Sequence, residues 1–147
     1  MSTLAIELLP HESMTPYMTE PLLGRKLAIL ISMATPDHPE RCVMPFIYAA
    51  VAAAMECEVE VHFTSSSVRL LVTGVAAGLC VGEGDGKAVY EHMQEAARQG
   101  VRFIGCSMAL KQYLAPDELK IPEFSGAAGA ATLVMRSLDP EWRVLCF

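Results

Sequence analysis

Apolar positions along the chain fall into short runs of strand length, separated by longer stretches with helical spacing. Residues 25–32 (RKLAILIS) make a continuous apolar run bounded by Gly24 and Pro36, which predicts a strand buried on both faces. After a turn at Thr35, Pro36 and Asp37, the pattern is helical from Pro39 to about Cys57, with Pro45 in its second turn. Residues 58–64 (EVEVHFT) alternate acid and valine before turning apolar, and predict the second strand. Ser65, Ser66 and Ser67 offer N-caps for a short helix over 68–73. Residues 87–99 predict an amphipathic helix with Val89, Met93, Ala96 and Ala97 inward, closed by Gly100 in the C′ position. A third strand follows over 101–105, then a short helix from Cys106 to about Leu114. A brief strand over 121–124, a helix over 126–138 capped by Ser125, and a closing strand over 142–147 complete the chain. Strands alternating with helices predict an α/β domain, a parallel sheet covered on both faces.

Residues 1–24 read as an N-terminal extension or arm, and residues 25–147 as the domain proper. Pro10, Pro16 and Pro21 prevent a long helix there, while Leu4, Ile6, Leu8 and Leu9 are apolar enough to dock on this subunit or a neighbour. A disordered tail is the competing reading.

Composition narrows the class. The chain has 147 residues, enough for one domain with a real core, and is 52% hydrophobic and 19% charged. With a mean hydropathy of +0.34 it is apolar for its size, so further burial in an oligomer is expected. No run approaches the roughly 18 apolar residues of a spanning helix. The first residues carry acids and proline where a signal peptide has a basic region, so a cytoplasmic protein is expected. The net charge is −6 and the 11 Lys and Arg are scattered, which argues against direct nucleic-acid binding.

Candidate chemistry centres on the five cysteines, Cys42, Cys57, Cys80, Cys106 and Cys146, an odd set without a C-x-x-C pair that reads as reduced thiols. In VRFIGCSMAL (101–110), an apolar strand ends at Gly105 and Cys106 opens the following helix. A thiol there lies near unpaired backbone N–H groups and the positive end of the helix dipole, both of which favour the thiolate. Gly105 lets the chain turn sharply, and Ser107 can donate a further hydrogen bond. The competing reading of Cys106 is a small buried hydrophobe at a strand end. Cys80 is the second candidate, on a glycine-bearing loop over 74–86 that can return toward Cys106; an unreactive loop thiol is its alternative. Cys42, Cys57 and Cys146 fall on or beside core elements and read as inert.

Histidines are scattered. His11, His62 and His92 read as structural or solvent-facing, whereas His38 follows strand one at the sheet edge where Cys106 is placed and could assist thiolate formation. Neither the histidines nor the cysteines have zinc spacing, so no metal is expected. GEGDGK (82–87) fails as a phosphate loop, because it does not follow a strand directly, Lys87 precedes Ala88 instead of Ser or Thr, and Glu83 and Asp85 repel phosphate. Lys111 and Arg102 read as ordinary surface charges, although Lys111 could raise the local positive potential.

The segment GVRFIGCSMALKQYL (100–114), the Gly/Ala-rich helix after it and the final strand WRVLCF (142–147) resemble the DsrE/DsrF/TusD group of sulfur-relay proteins. The resemblance covers about 26–147 and is most specific at the cysteine turn. It implies a three-layer α/β/α domain around a mainly parallel sheet of about five strands. It further implies that Cys106 accepts sulfane sulfur as a persulfide and passes it on, with a small sulfur-carrier protein as donor or acceptor. Members assemble as dimers, trimers or hexamers, without metal or organic cofactor, and serve tRNA thiolation or sulfur oxidation. The alternatives are a non-catalytic oligomeric scaffold or binding module of the same fold, and a redox-active thiol protein.

Overall fold

The computed structural model describes residues 24–82 and 86–147; the arm up to residue 23, with His11, and residues 83–85 of the glycine loop lie outside the described residues. Five strands, β1 (Lys26–Ile31), β2 (Glu58–Phe63), β3 (Arg102–Cys106), β4 (Phe124–Ala128) and β5 (Trp142–Cys146), form one sheet in the order β4-β3-β2-β1-β5. Every pairing is parallel. Parallel neighbours need a crossover, and the connecting helices are α1 (Met44–Ala54), α2 (Val89–Arg98), α3 (Ser107–Tyr113) and α4 (Ala130–Leu138). From β1 to β4 the chain steps in one direction across the sheet. From β4 it returns to the opposite edge, beside β1. Because such crossovers are right-handed, reversing the direction puts α4 on the face opposite α1 and α2.

The two faces are built from the two parities of the strands. Ile29, Ile31, Val59, Val61, Phe63 and Phe103 point toward α1 and α2 and are buried with Phe46, Ala49, Met93 and Ala96. Rings of Phe46, Phe63 and Phe103 pack with centroids 5.6–6.0 Å apart. The other parity carries Lys26, Ala28 and Leu30, Glu58, Glu60 and His62, Arg102, Ile104 and Cys106, and Trp142. Among the described residues α4 covers that side, where its Arg136 lies over the Trp142 ring at 4.3 Å.

Helix ends follow backbone accounting. In α2 the N–H groups of Gly100 and Val101 bond back to Ala97 and Ala96, and Gly100 takes φ +90°, as its predicted C′ role requires. The same two bonds close α1, from Glu56 to Ala53 and from Cys57 to Ala52, but there a glutamate occupies the left-handed position, φ +66°.

Several element boundaries differ from the sequence expectation. The helix expected from Pro39 is split into a 3₁₀ turn, Pro39–Arg41, and α1 proper from Met44. Pro39 and Pro45 each sit at the start of their own helical piece, where a missing N–H costs nothing. The short helix expected over 68–73 is a 3₁₀ segment, Ser65–Leu71, in which Ser67 accepts from the Thr64 N–H and donates to the Ile31 carbonyl. The largest correction concerns 121–138. Strand β4 is Phe124–Ala128, so half of the GAAGAA stretch extends the sheet, and α4 begins only at Ala130 with Gly129 as its N-cap. Ser125 does not cap that helix; it occupies a bulge and accepts a hydrogen bond from the Phe103 N–H at 2.9 Å. Pairing with β3 outweighs the helical preference of the alanines. Among the described residues, no helix is long and apolar enough to cross a membrane.

Candidate thiol site at the carboxyl edge of the sheet

Cys106 is the last residue of β3 and the N-cap of α3, with φ −62° and ψ 122°. It therefore precedes the first helical residue, Ser107, instead of being that residue. The first N–H groups of α3 have no intrahelical acceptor, and the cysteine lies at that end. Gly105 acts through space, not through a left-handed turn. A Cβ there would come within 2.9 Å of the Leu110 side chain, so its absence lets α3 fold down on β3 directly after the strand.

Cys106 lines a cavity of about 200 Å³ between the ends of the strands and the start of α4. Leu30, Ala128, Leu133 and Val134 give apolar walls; His62, Thr64 and Cys106 supply the side chains able to do chemistry. Thr64 is anchored by donating its hydroxyl to the Ile31 carbonyl at 3.1 Å. A wider groove of about 480 Å³ runs beside α3, past Lys111, Lys120 and Phe124, and no thiol lines it.

His62 leads down the sheet face into a charged array. Its Nε2 lies 2.9 Å from Glu60 Oε2, and Glu60 is fully buried. Arg136 reaches the same carboxylate with Nε and Nη2, both at 3.1 Å, and Arg102 bonds it through Nη2. Burial pushes the Glu60 carboxyl up, but the bonds from Arg136 and His62 and the charges of Arg136 and Arg102 outweigh it, holding the group below the usual carboxylate range. The sequence reading missed both His62 and Glu60. Their signal was the alternation EVEVHF, which puts Glu58, Glu60 and His62 on one face; pairing of His62 with Ile104 then puts Cys106 on that face too.

The remaining sequence candidates are dispersed. His38 lies beside Glu40, Nδ1 to Oε1 3.3 Å, is half-exposed, and does not line the cavity. Ser107 opens α3, half-buried. Cys80 is exposed and pairs with Ala88 in an isolated bridge where the loop closes onto α2, apart from the residues lining the cavity. Cys42 is buried and donates to the carbonyls of Thr35 and His38 at 3.3 and 3.5 Å; burial first, and Glu40 second, push its thiol up to about 11. Cys57 is half-buried, and Cys146, read from sequence as lying on or beside a core element, is exposed on the edge strand β5. Among the described residues, no three His, Cys, Asp or Glu side chains come together as a metal site.

The sequence model of the DsrE/DsrF-like family matches residues 25–147. Two solved structures share the fold. The YchN protein of E. coli superposes with a TM-score of 0.64 over 84% of this chain and 98% of its own, at 14% identity. MTH1491 of Methanobacterium thermoautotrophicum, a protein of unknown function, superposes with a TM-score of 0.58 over 84% and 99%, at 18% identity. Comparison with curated proteins finds no match.

Proposed function

The chain belongs to the DsrE/DsrF-like family, and we propose that it is a sulfur carrier in which Cys106 accepts sulfane sulfur as a persulfide and yields it to a partner thiol. Family membership supports a sulfur-relay role in general. The observation that carries the specific reading is the position of Cys106: partly exposed, at a strand-to-helix turn, lining a small apolar cavity at the carboxyl edge of a parallel sheet. Chemistry in α/β proteins collects at that edge. An apolar cavity slows hydrolysis and oxidation of a bound persulfide, while the partner sulfur exchanges through the open side.

A small sulfur-carrier protein is the proposed donor or acceptor, in the cytoplasm, and a homo-oligomer is the proposed assembly. Supporting the assembly, α4 has no buried residue and leaves Val134, Met135 and Leu138 54–78% exposed. Cys80, an exposed loop thiol, is the second candidate for the carrier position.

Intact-mass spectrometry after incubation with inorganic polysulfide tests the reading. We expect one-sulfur adducts on the wild type, lost in Cys106→Ser and kept in Cys80→Ser. The reverse pattern moves the site to Cys80, and a wild type that takes no sulfur overturns the reading. The exposed apolar side chains of α4 favour a second reading, a non-catalytic oligomeric scaffold. Iodoacetamide labelling of the native protein separates the two, since a carrier exposes a thiol that reacts quickly near neutral pH.

A further inference from the structure

We propose that His62, held by Glu60, is the acid–base residue of the Cys106 cavity, taking the proton of the Cys106 thiol and returning it to the leaving thiol of the sulfur donor. The inference rests on the carrier reading of this cavity and adds to it the residue that moves the proton.

Geometry supports it in three steps. Among the described residues lining the cavity, His62 is the one titratable side chain besides Cys106. The two stand on the same face of adjacent parallel strands, His62 opposite Ile104 and Cys106 two residues further on. Second, Glu60 fixes the tautomer. An ionised carboxylate 2.9 Å from Nε2 requires the proton on Nε2, so Nδ1 is the nitrogen free to accept one in the neutral ring. Third, the ring is immobilised. His62 is 5% exposed, and its partner is itself clamped by Arg136 and Arg102. A carboxylate holding one ring nitrogen of a histidine that shares a cavity with a thiol follows the general logic of an activated nucleophile.

Charges facing His62 come from every neighbouring element. Glu58 and Glu60 lie on its own strand, Arg102 and Cys106 on β3, and Arg136 on α4. On β1 the nearest residue is Leu30, and Lys26 at the far end pairs with Glu141 at 3.3 Å. The two guanidiniums satisfy Glu60 whichever state the imidazole is in, so His62 can gain and lose a proton without leaving a buried carboxylate unpaired.

With a persulfide donor, R–S–SH, the step balances. Cys106 Sγ gives its proton to His62 Nδ1 and attacks the terminal sulfur. A bond forms between Sγ and that sulfur, the donor S–S bond breaks, and its electron pair leaves on R–S⁻. His62 returns the proton to R–S⁻, giving Cys106 persulfide and R–SH, with no net oxidation.

The test follows two reactions at Cys106 by peptide mass spectrometry: alkylation by iodoacetamide across pH, and sulfur loading from cysteine persulfide. Proteins are the wild type, His62→Gln and His62→Ala, with folding checked by circular dichroism. We expect His62→Gln to slow both reactions at neutral pH by about tenfold to a hundredfold. The alkylation gap should close at alkaline pH, where hydroxide replaces the histidine as the base, and added imidazole should restore His62→Ala. Folded variants with wild-type rates at every pH overturn the inference. So does uniform slowing with an unchanged pH profile and no rescue by imidazole, which marks a structural role. If the wild type loads no sulfur yet its Cys106 alkylation depends on His62, the carrier reading falls and the acid–base assignment stands. Normal loading in His62→Gln has the opposite meaning.

Discussion

The two faces of the sheet are made by the same five strands, yet they solve different problems. Toward α1 and α2 the strands present Ile29, Val61, Phe63 and Phe103, which interlock with Phe46, Ala49 and Met93 in a wholly apolar layer. Toward α4 they present Glu60, His62 and Arg102, where Arg136 adds a second guanidinium to the Glu60 carboxylate, and the layer opens into the Cys106 cavity. One face is an apolar core and the other holds a buried charged array. Buried charge contributes little net stability compared with packed hydrocarbon of the same volume, so the apolar face holds the fold while the charged face aims its side chains.

Substitutions can break the comparison at each layer. On the apolar face, Phe103→Ala is expected to lower the unfolding free energy by about 4 kcal/mol in urea denaturation. Iodoacetamide should still label Cys106 in the folded fraction. A loss of labelling there would mean that the two faces are not separable.

On the other face, Glu60→Ala is expected to cost roughly 3 kcal/mol, because it removes the buried carboxylate that pairs the mostly buried Arg136. This layer also carries the pH dependence. Glu60 has its folded carboxyl below the ordinary value of 4.5, so its contribution is present above 4.5 and lost as pH falls through the lower folded value. Urea titrations from neutral pH to below 4.5 should show a steeper loss for the wild type than for Glu60→Ala. Parallel slopes would locate the acid sensitivity elsewhere.

The smallest effect sharpens the contrast from the packed side. Glu56→Gly at the left-handed end of α1 is expected to raise stability by about 1 kcal/mol, since α2 already ends on glycine at the equivalent position. Thermal denaturation should record the gain, with Cys106 labelling unchanged.

Much of the architecture was legible in the residues because burial imposes a period. The apolar runs at 25–32, 58–64, 101–105 and 142–147 all became strands, and Gly100 closes its helix as its position required. The region 121–138 was misread because alanine and glycine carry no period; whether FSGAA pairs as a strand depends on the open edge of β3 beside it. Likewise Cys146 is apolar by neighbours alone, and only the strand order shows it on an exposed edge.

The thiol site divides along the same line. Local sequence placed Cys106 at a strand-to-helix turn, since a β-rich run, a glycine and helix formers are local signals. Which histidine joins it was not local. His38 and His62 both follow or belong to strands ending at that edge, and linear spacing cannot rank them. Parallel register decided for His62, because side chains of one parity on neighbouring strands share a face. The sequence by itself determined the elements and the turn that bears the thiol, through periodicity and backbone preference. Only the tertiary structure decided what shares a face with that thiol, because strand order and register bring Cys106 on β3 beside His62 and Glu60 on β2, and the crossover of α4 adds Arg136.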